Sequence, residues 1–370
     1  MIYLDNAATS FPKPFCVSYS MSRCIRRYCG NPGRSGHRLS IKAAEQIYEA
    51  REAIASFFSY PFPERVVFTQ NATYALNLAI KGLIKGKCNV IISDAEHNSV
   101  IRPLTNLQNR LSGSITRFPI DSPLDDSFEN LITSDTKYII CTAQSNVTGK
   151  AVDIYKLSKI AKDHNVKLIL DLSQAAGHRF IDLSRITFAA VCCPGHKGLL
   201  GPQGTGFVIF GENELPDSII EGGSGSESIL TNMPEHLPER IEAGTLNTPS
   251  IVGLNSGVRY LKNYGIACVE KRLAYLTELM QERLMSIKGL SQYGCENGIS
   301  AFNLDGYSSE ELAGRLDMRG ICVRGGLHCA PSVHKLLGTL ERGAVRASIS
   351  LFTSKRDVDR LYTSLKAEKI

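Results

Sequence analysis

The sequence predicts an α/β fold in which a large, mostly parallel sheet is followed by a smaller αβ unit. Short apolar runs alternate with amphipathic stretches through the middle of the chain, as in domains built from strand–helix–strand units. The runs are apolar on both faces, which a parallel sheet covered by helices on each side requires. Polar and ionisable residues follow several of these runs, so we expect these side chains to gather at one edge of the sheet and form a binding site there.

Six strands are predicted in the large unit. They cover 65–70, 88–93, 137–144, 166–174, 188–195 and 204–210. Predicted helices cover 39–58, 71–83 and 153–165, and Asp153 is a plausible N-cap of the third. The first helix has apolar spacing through Ala44, Ile47, Tyr48, Arg51 and Ile54.

The pattern changes after about residue 255. A long helix is predicted over 266–287, and a second begins at Ser308, where Ser308 and Glu311 can form a capping box. Strand-like runs and a last helix, from about 354 to 365, complete a small αβ unit. We therefore predict a large domain over residues 1–255 and a small C-terminal domain over residues 256–370.

Bulk composition excludes several classes of protein. The 370 residues are 43% hydrophobic and 21% charged, with a net charge of +6, which is ordinary for a globular protein. No basic block with interleaved aromatics indicates nucleic-acid binding, and no run of 18 apolar residues indicates a membrane span. The 11 cysteines have no regular framework and there is no recognisable export signal, so reduced thiols in the cytoplasm are expected and a structural metal site is not.

Ligands of open α/β sheets bind beyond the carboxyl ends of the strands, so the residues at these positions are the candidate site. Each could be a cap, a turn residue or a solvated loop residue by itself. The whole set at one sheet edge favours a functional site. Its members are Asn71, Ala72, Thr73, Glu96, His97, Asn146, Asp171, Gln174, His196 and Lys197.

Lys197 lies between a predicted strand and a glycine-rich loop, in "GHKGLLGPQGTG" (195–206). It could be a surface charge, a phosphate-binding lysine or an amine that binds a cofactor covalently. A P-loop is excluded because Lys197 precedes its glycines and no GxxxxGK[ST] occurs. Pyridoxal phosphate needs a Schiff-base lysine, a carboxylate on its ring nitrogen and an anion site such as a helix start. The ordered set Asp171, Gln174, His196 and Lys197 favours this third interpretation.

At these motifs the chain resembles the class V aminotransferases of fold type I, and within them the NifS-like cysteine desulfurases, in particular those of group II. The resemblance covers essentially the whole chain. The segments that carry it are "YLDNAATSFPKP" (3–14), "NPGRSGHRLS" (31–40), "AEHNSV" (95–100), "SNVTG" (145–149), "LDLSQAAGH" (170–178), "GHKGLLGPQGTG" (195–206), "EAGTLNT" (242–248), "RGGLHCAP" (324–331) and "VRAS" (345–348).

The resemblance implies how pyridoxal 5'-phosphate is held. Lys197 is expected to form the Schiff base, Asp171 to pair with the pyridinium nitrogen and Gln174 to bind the phenolic oxygen. His97 is expected to stack on the ring. The phosphate is expected to bind Ala72, Thr73 and His196, and Thr245 is expected to reach the phosphate of a neighbouring subunit, which implies a homodimer.

The resemblance also implies a substrate site. Asn146 and Arg346 are expected to bind the substrate carboxylate, for which a bidentate arginine is suited. Cys329 is the expected sulfur-accepting nucleophile, and positive charge near it, from His328 and Arg324, is expected to favour its thiolate. Two departures from the family pattern occur: Pro194 replaces a residue that is often Ser or Thr, and "LHCAP" replaces the more usual His-His-Cys.

The implied activity is that of a cysteine desulfurase, which converts L-cysteine to L-alanine and leaves the sulfur on Cys329 as a persulfide for an unidentified protein acceptor. A selenocysteine lyase with the same site is the nearest alternative. Another class V reaction, such as transamination or β-elimination, is a second, and a non-catalytic protein of the same fold is a third.

Overall fold

The computed structural model describes residues 1–33 and 36–368. Its strands are β1 (Ile2–Tyr3), β2 (Val66–Thr69), β3 (Asn89–Ser93), β4 (Ser114–Phe118), β5 (Thr136–Thr142), β6 (Lys167–Asp171), β7 (Ala190–Pro194), β8 (Gly206–Phe210), β9 (Leu290–Glu296), β10 (Ile299–Leu304), β11 (Ile321–Cys322) and β12 (Val345–Ser348). Its α-helices are α1 (Phe15–Arg27), α2 (Arg38–Phe57), α3 (Ala72–Leu83), α4 (Asn98–Leu111), α5 (Asp126–Glu129), α6 (Ile154–Asp163), α7 (Thr248–Tyr264), α8 (Ile266–Met285), α9 (Ser309–Met318), α10 (Pro331–Leu336) and α11 (Lys355–Ala367).

A seven-stranded sheet forms the centre of the large unit, in the order β2-β8-β7-β6-β5-β3-β4. Strands β4, β3, β5, β6 and β7 run parallel, and β8 is antiparallel to both of its neighbours. Strands β3 and β7 are buried along their whole length, because helices cover both faces of the sheet. The predicted α/β class with a mostly parallel sheet is confirmed.

Strand β6 ends earlier than the sequence predicts. The predicted strand ran to residue 174, but β6 stops at Asp171. The Asp171 carboxylate accepts a hydrogen bond from the Ser173 backbone N–H at 2.8 Å and closes a turn. Gln174 therefore lies in the turn beyond the strand, over the sheet edge that faces the cavity described below.

The small unit is built on the antiparallel sheet β12-β10-β9. Helix α9 begins at the predicted N-cap: the Ser308 hydroxyl accepts from the Glu311 backbone N–H at 3.1 Å. A complete capping box occurs instead at the start of α11, between Ser354 and Asp357. The division of the chain at about residue 255 stays a prediction.

Residues at the two ends of the described chain meet in this unit. Strand β1 pairs in parallel with β11, with Ile2 opposite Ile321. Asp5 forms an isolated parallel bridge with Ser348, next to the end of β12. The segment that follows β1 is thereby held along one wall of the cavity. Among the described residues, no helix is long and apolar enough to cross a membrane.

Several elements were not predicted from the sequence. Helix α4 contains Pro103, and a proline within a segment argues against predicting a helix there from the sequence. Helix α7 is rich in glycine and packs closely: a Cβ at Gly257 would lie 2.5 Å from the Leu199 carbonyl oxygen. In α2 the buried face runs through Ile47, Arg51 and Ile54 as predicted, whereas Tyr48 is exposed.

Candidate active site

A cavity of about 220 Å³ lies at the carboxyl ends of the parallel strands. The resemblance gives eleven residues a role in binding the cofactor, binding the substrate or accepting sulfur. Nine of these eleven line the cavity, and Cys329 and Thr245 do not. The nine are Ala72, Thr73, His97, Asn146, Asp171, Gln174, His196, Lys197 and Arg346. The cavity brings together residues up to 339 positions apart in sequence (346 − 7), from Ala7 to Arg346.

Lys197 follows β7 and points into this cavity. Burial lowers the pKa of its ammonium to about 8, although the nearby Asp171 carboxylate acts in the opposite direction. The charges of Arg346 and Arg324 contribute to this lowering of the Lys197 pKa. An amine of this kind can lose its proton near neutral pH, as a covalent or proton-transferring lysine must.

Asp171 and Gln174 form the floor of the cavity. Asp171 is buried at the end of β6, and one of its oxygens is used in the turn to Ser173. Gln174 donates from Nε2 to the Ala7 carbonyl oxygen at 3.1 Å, while its buried Oε1 has no hydrogen-bond partner among the described residues. A buried amide oxygen without a partner, in the same cavity as a buried carboxylate, indicates room for a polar ligand.

His97 caps helix α4 and is linked to the start of α3. Its Nδ1 accepts from the Ser99 backbone N–H at 3.0 Å and lies 2.9 Å from the Ser99 hydroxyl. That hydroxyl is 2.8 Å from the Thr73 hydroxyl. Burial, and then the Lys197 charge, lower the pKa of His97 to about 4, so its ring is neutral at physiological pH. A neutral ring can lie against a flat ligand without adding charge.

The N-terminus of α3 opens onto the same cavity. Asn71 is the N-cap, and its side chain accepts from the Tyr74 backbone N–H at 3.1 Å. Strand β8 approaches this turn so closely that a Cβ at Gly206 would lie 2.7 Å from the Asn71 carbonyl carbon. The buried Nδ1 of His196 has no partner among the described residues, and burial lowers the pKa of His196 to about 4. Helix N–H groups and a neutral imidazole together suit an anion.

Arg346 is the largest buried side chain of the cavity, with 1% of its surface exposed. Its Nη2 donates to the Asp5 carboxylate at 2.8 Å, and its Nη1 donates to the Asn146 carbonyl oxygen at 3.0 Å. Its buried Nε has no partner among the described residues. Burial lowers the pKa of Arg346, and Asp5 opposes this shift. The free N–H is a donor that a carboxylate ligand could use.

Cys329 follows His328 in the chain and does not itself line the cavity. Both residues have positive φ, 58° and 51°, and the Cys329 carbonyl accepts from the Asn98 backbone N–H at 2.8 Å. Cys329 is exposed, whereas His328 is buried and lines the cavity. Burial and Arg346 lower the pKa of His328 to about 2. The expectation that His328 supplies positive charge to Cys329 is therefore wrong, and Arg324 remains as the nearby cation of the cavity wall.

Thr245 lies apart from this cavity within the single chain. It is exposed and lines a second cavity of about 450 Å³ beside the buried ion pair of Arg51 and Glu242. Arg51 bonds both carboxylate oxygens of Glu242, and Glu242 also accepts from the Phe68 backbone N–H at 2.6 Å. These contacts tie α2, β2 and the segment before Thr245 together.

Some residues of the cavity were not predicted as site residues. They include Ser99, Arg324 and His328, and Asp5, which does not line the cavity, binds its Arg346. Asp5 stands in the quoted segment "YLDNAATSFPKP", so the motif contained a signal, but its partner Arg346 is 341 residues away. No local pattern reports a contact of that separation.

Comparison with known proteins identifies the family. The family model described as "Aminotransferase class-V" matches residues 2–361. The chain belongs to the class V aminotransferases.

Curated relatives of this chain are named as probable cysteine desulfurases. One from Methanothermobacter thermautotrophicus is 32% identical over 377 residues, which covers 99% of this chain and 94% of the relative. One from Halalkalibacterium halodurans is 29% identical over 385 residues, which covers 100% of this chain and 93% of the relative.

Solved structures agree with this placement among class V aminotransferases. The apo structure of a cysteine desulfurase from Thermococcus onnurineus has a TM-score of 0.90 and 29% identity, covering 99% of this chain and 94% of that one. The cysteine desulfurase CsdA of Escherichia coli has a TM-score of 0.88 and 25% identity, with the same coverage. A NifS-like protein, at 22% identity and a TM-score of 0.86, shares the fold.

Proposed function

We propose that the chain is a pyridoxal-phosphate-dependent cysteine desulfurase, which converts L-cysteine to L-alanine and takes the sulfur as a persulfide on Cys329. The observation that carries the proposal is the position of Lys197. It is a half-buried lysine with a lowered pKa, at a strand end, in one cavity with Asp171, His97 and Arg346. Relatives along the whole chain are named as cysteine desulfurases, which supports the same activity.

The residues present fit pyridoxal phosphate. A buried carboxylate, a half-buried lysine and a helix N-terminus line one cavity, and two buried polar atoms there, Gln174 Oε1 and His196 Nδ1, lack partners among the described residues. Lys197 would bind the aldehyde, Asp171 the ring nitrogen and Gln174 the phenolic oxygen. The phosphate would lie at the start of α3, against Ala72, Thr73 and His196, where N–H groups and the helix dipole favour an anion.

When bound, the cofactor supplies an electron sink that stabilises negative charge at the Cα of an amino acid. Asp171 would hold a proton on the ring nitrogen, which keeps that sink effective. Lys197 can accept the Cα proton, because its pKa is lowered to about 8. His97, neutral and fixed through Ser99, would cover one face of the ring and exclude water from it.

Substrate binding and sulfur transfer use the small unit. Arg346 and Asn146 would hold the α-carboxylate, and the free Nε–H of Arg346 offers a further donor. The Cys329 thiolate would then attack the substrate sulfur: an S–S bond forms, the Cβ–S bond breaks, and its electron pair stays on Cβ and takes up a proton. The net change turns L-cysteine and the Cys329 thiol into L-alanine and the Cys329 persulfide, so no external oxidant is needed.

The remaining expectations are part of the same proposal. The eleven cysteines are all free thiols, which agrees with a reducing compartment such as the cytoplasm. A protein acceptor would remove the sulfur from the exposed Cys329. Thr245, far from its own cavity, would serve the cavity of a second subunit in a homodimer.

The test uses purified holoenzyme. Incubation with L-cysteine should release L-alanine and leave one sulfane sulfur on Cys329, found by mass spectrometry of alkylated peptides. Borohydride reduction should attach the pyridoxyl group to Lys197. The control is Lys42→Met, which replaces an exposed lysine and should leave the labelling of Lys197 unchanged. A label on another lysine, or no alanine from L-cysteine, would refute the proposal.

A further inference from the structure

The segment after β1 makes a concentrated set of contacts with the backbone around Lys197. The His196 carbonyl oxygen accepts from the Ser10 backbone N–H at 3.1 Å, from the Thr9 hydroxyl at 3.0 Å and from the Lys13 ammonium at 2.7 Å. The Lys13 ammonium also bonds the Ser10 hydroxyl at 2.6 Å. That hydroxyl donates to the Lys197 carbonyl oxygen at 2.8 Å.

These bonds reach both peptide groups that flank the Lys197 Cα. The His196 carbonyl belongs to the peptide group before Lys197, and the Lys197 carbonyl belongs to the one after it. A planar peptide group that is held at its oxygen has little freedom to rotate. Fixing both groups fixes the direction of the Lys197 Cα–Cβ bond, and so the origin of the side chain that must reach the cofactor.

We propose that Lys13 is a positioning residue for Lys197. The Lys13 ammonium holds the peptide group before Lys197 directly, through the His196 carbonyl, and the peptide group after Lys197 indirectly, through the Ser10 hydroxyl. The inference rests on the proposed function of Lys197.

Lys13 is half-buried, and partial removal of an ammonium from water costs free energy, so the choice of a lysine at this place needs an explanation. Burial lowers the pKa of Lys13 to about 8, and no carboxylate among the described residues offsets that burial. Charge-assisted hydrogen bonds are roughly twice as strong as neutral ones, and a charged donor polarises a hydroxyl that it contacts. The two hydrogen bonds from Lys13 to Ser10 and from Ser10 to the Lys197 carbonyl are strengthened by the ammonium charge. A neutral side chain at position 13 would not strengthen them in this way.

The segment is also stiff. Lys13 stands between Pro12 and Pro14, whose rings fix φ and restrict the residue before each of them. Pro14 is buried and is the N-cap of α1, which packs along α7. The ammonium is thus presented from a rigid base that is anchored in the large unit.

The test compares Lys13→Met, Lys13→Arg and Ser10→Ala holoenzymes with wild type. The matched control is Lys42→Met, at an exposed lysine paired with Glu45. For Lys13→Met, kcat for alanine formation should fall by roughly ten- to a hundredfold, as for a small misplacement of a reacting group. KM for L-cysteine should stay within about twofold, since the carboxylate-binding Arg346 is untouched.

A second readout needs no turnover. The pH at which the visible band of the bound cofactor changes should rise in Lys13→Met, because loss of a nearby cation favours the protonated form of the lysine–cofactor bond. Lys13→Arg should keep the wild-type midpoint, and Ser10→Ala should keep it while lowering kcat.

Three results would overturn the inference: wild-type kcat and midpoint in Lys13→Met; a rise in KM that accounts for the whole loss; or a lower melting temperature with unchanged kcat per folded site. If wild type makes no alanine from L-cysteine, the proposed function fails. The midpoint comparison among the Lys13 variants then still decides the role of Lys13.

Discussion

Asp171 is the residue on which the proposed chemistry depends most directly. Asp171→Asn keeps the turn to Ser173, because an amide oxygen can accept the same N–H. The cofactor should remain bound, but turnover of L-cysteine should fall by roughly a hundredfold or more, since the ring nitrogen is no longer held protonated. Alanine release and the visible spectrum measure the two effects.

Asp182→Asn is the matched control, because Asp182 accepts from the Ser184 N–H in a similar turn outside the cavity. Its turnover should equal that of wild type. Near-normal alanine production by Asp171→Asn would show that Asp171 is not the partner of the ring nitrogen.

Cys329 separates the two leading substrates. Cleavage of C–S requires a nucleophile on the sulfur, whereas a selenol is ionised at neutral pH and the C–Se bond is weaker. Cys329→Ala should therefore abolish alanine release from L-cysteine and retain much of it from L-selenocysteine. The measurement is alanine formed from each substrate, with Cys268→Ala, at another exposed cysteine, as control.

Equal loss on both substrates would give Cys329 a structural or acid–base role. Full activity of Cys329→Ala on L-cysteine would mean that another thiol, or none, accepts the sulfur, and the persulfide role of Cys329 would be wrong.

At the scale of elements, Glu96 joins the ends of two strands. It follows β3 and is fully buried, and its Oε1 accepts from the Ser93 hydroxyl and from the Thr142 backbone N–H at the end of β5, at 2.5 and 2.7 Å. Burial raises the pKa of Glu96 from 4.5 to about 8, and the nearby Asp171 acts in the same direction. Asp94 and Cys141 are the other ionisable groups close by.

This pKa shift predicts a pH dependence of stability. Above pH 4.5 the unfolded chain loses the Glu96 proton while the folded protein keeps it up to about pH 8. The free energy of unfolding should therefore fall across this window, with a slope of about 1.4 kcal/mol per pH unit from this one group. Glu96→Gln, which mimics the neutral acid, should lack that slope in denaturant titrations. Equal slopes for both proteins would contradict a neutral Glu96.

The sequence predicts elements well where pattern and caps agree and poorly where tertiary contacts decide. Asp153 caps α6 as predicted, because its side chain and the apolar spacing after it act locally. Helix α4 was missed, since Pro103 obscures a helix that packing sustains. Strand β6 was predicted too long, because apolar character does not show where a side chain closes a turn.

The candidate site follows the same division. Eight of the nine predicted residues in the cavity lie at or after strand ends of the large sheet, which a sequence reveals. The ninth, Arg346, lies within β12 and was expected from the resemblance alone. The ion pair of Asp5 and Arg346 and the buried state of His328 depend on contacts between distant segments. Positive charge at His328 was wrongly expected because adjacency in sequence says nothing about burial.

At the scale of the whole molecule, Thr245 predicts a shared site. We expect a homodimer in which Thr245 of each subunit serves the cavity of the other. A mixture of the two inactive variants, Lys197→Ala and Thr245→Asp, should then regain activity after the subunits exchange. At a 1:1 ratio, random pairing restores about a quarter of the wild-type sites, because each mixed dimer has one intact cavity. Alanine release after refolding the mixture measures this.

A mixture of Lys197→Ala and Lys197→Met, which cannot complement, is the control. A fully active monomer in solution would contradict the shared site.

The pairing of Asp5 with Arg346 also has a consequence for biosynthesis. The two residues are 341 positions apart, and translation at about 5–20 residues per second separates their appearance by roughly 20–70 s. For most of that time β1 has no β11 to pair with, and Asp5 lacks its partner Arg346 throughout. The nascent large sheet can form early, but the pocket that would take the cofactor closes only after Ser348 has left the ribosome.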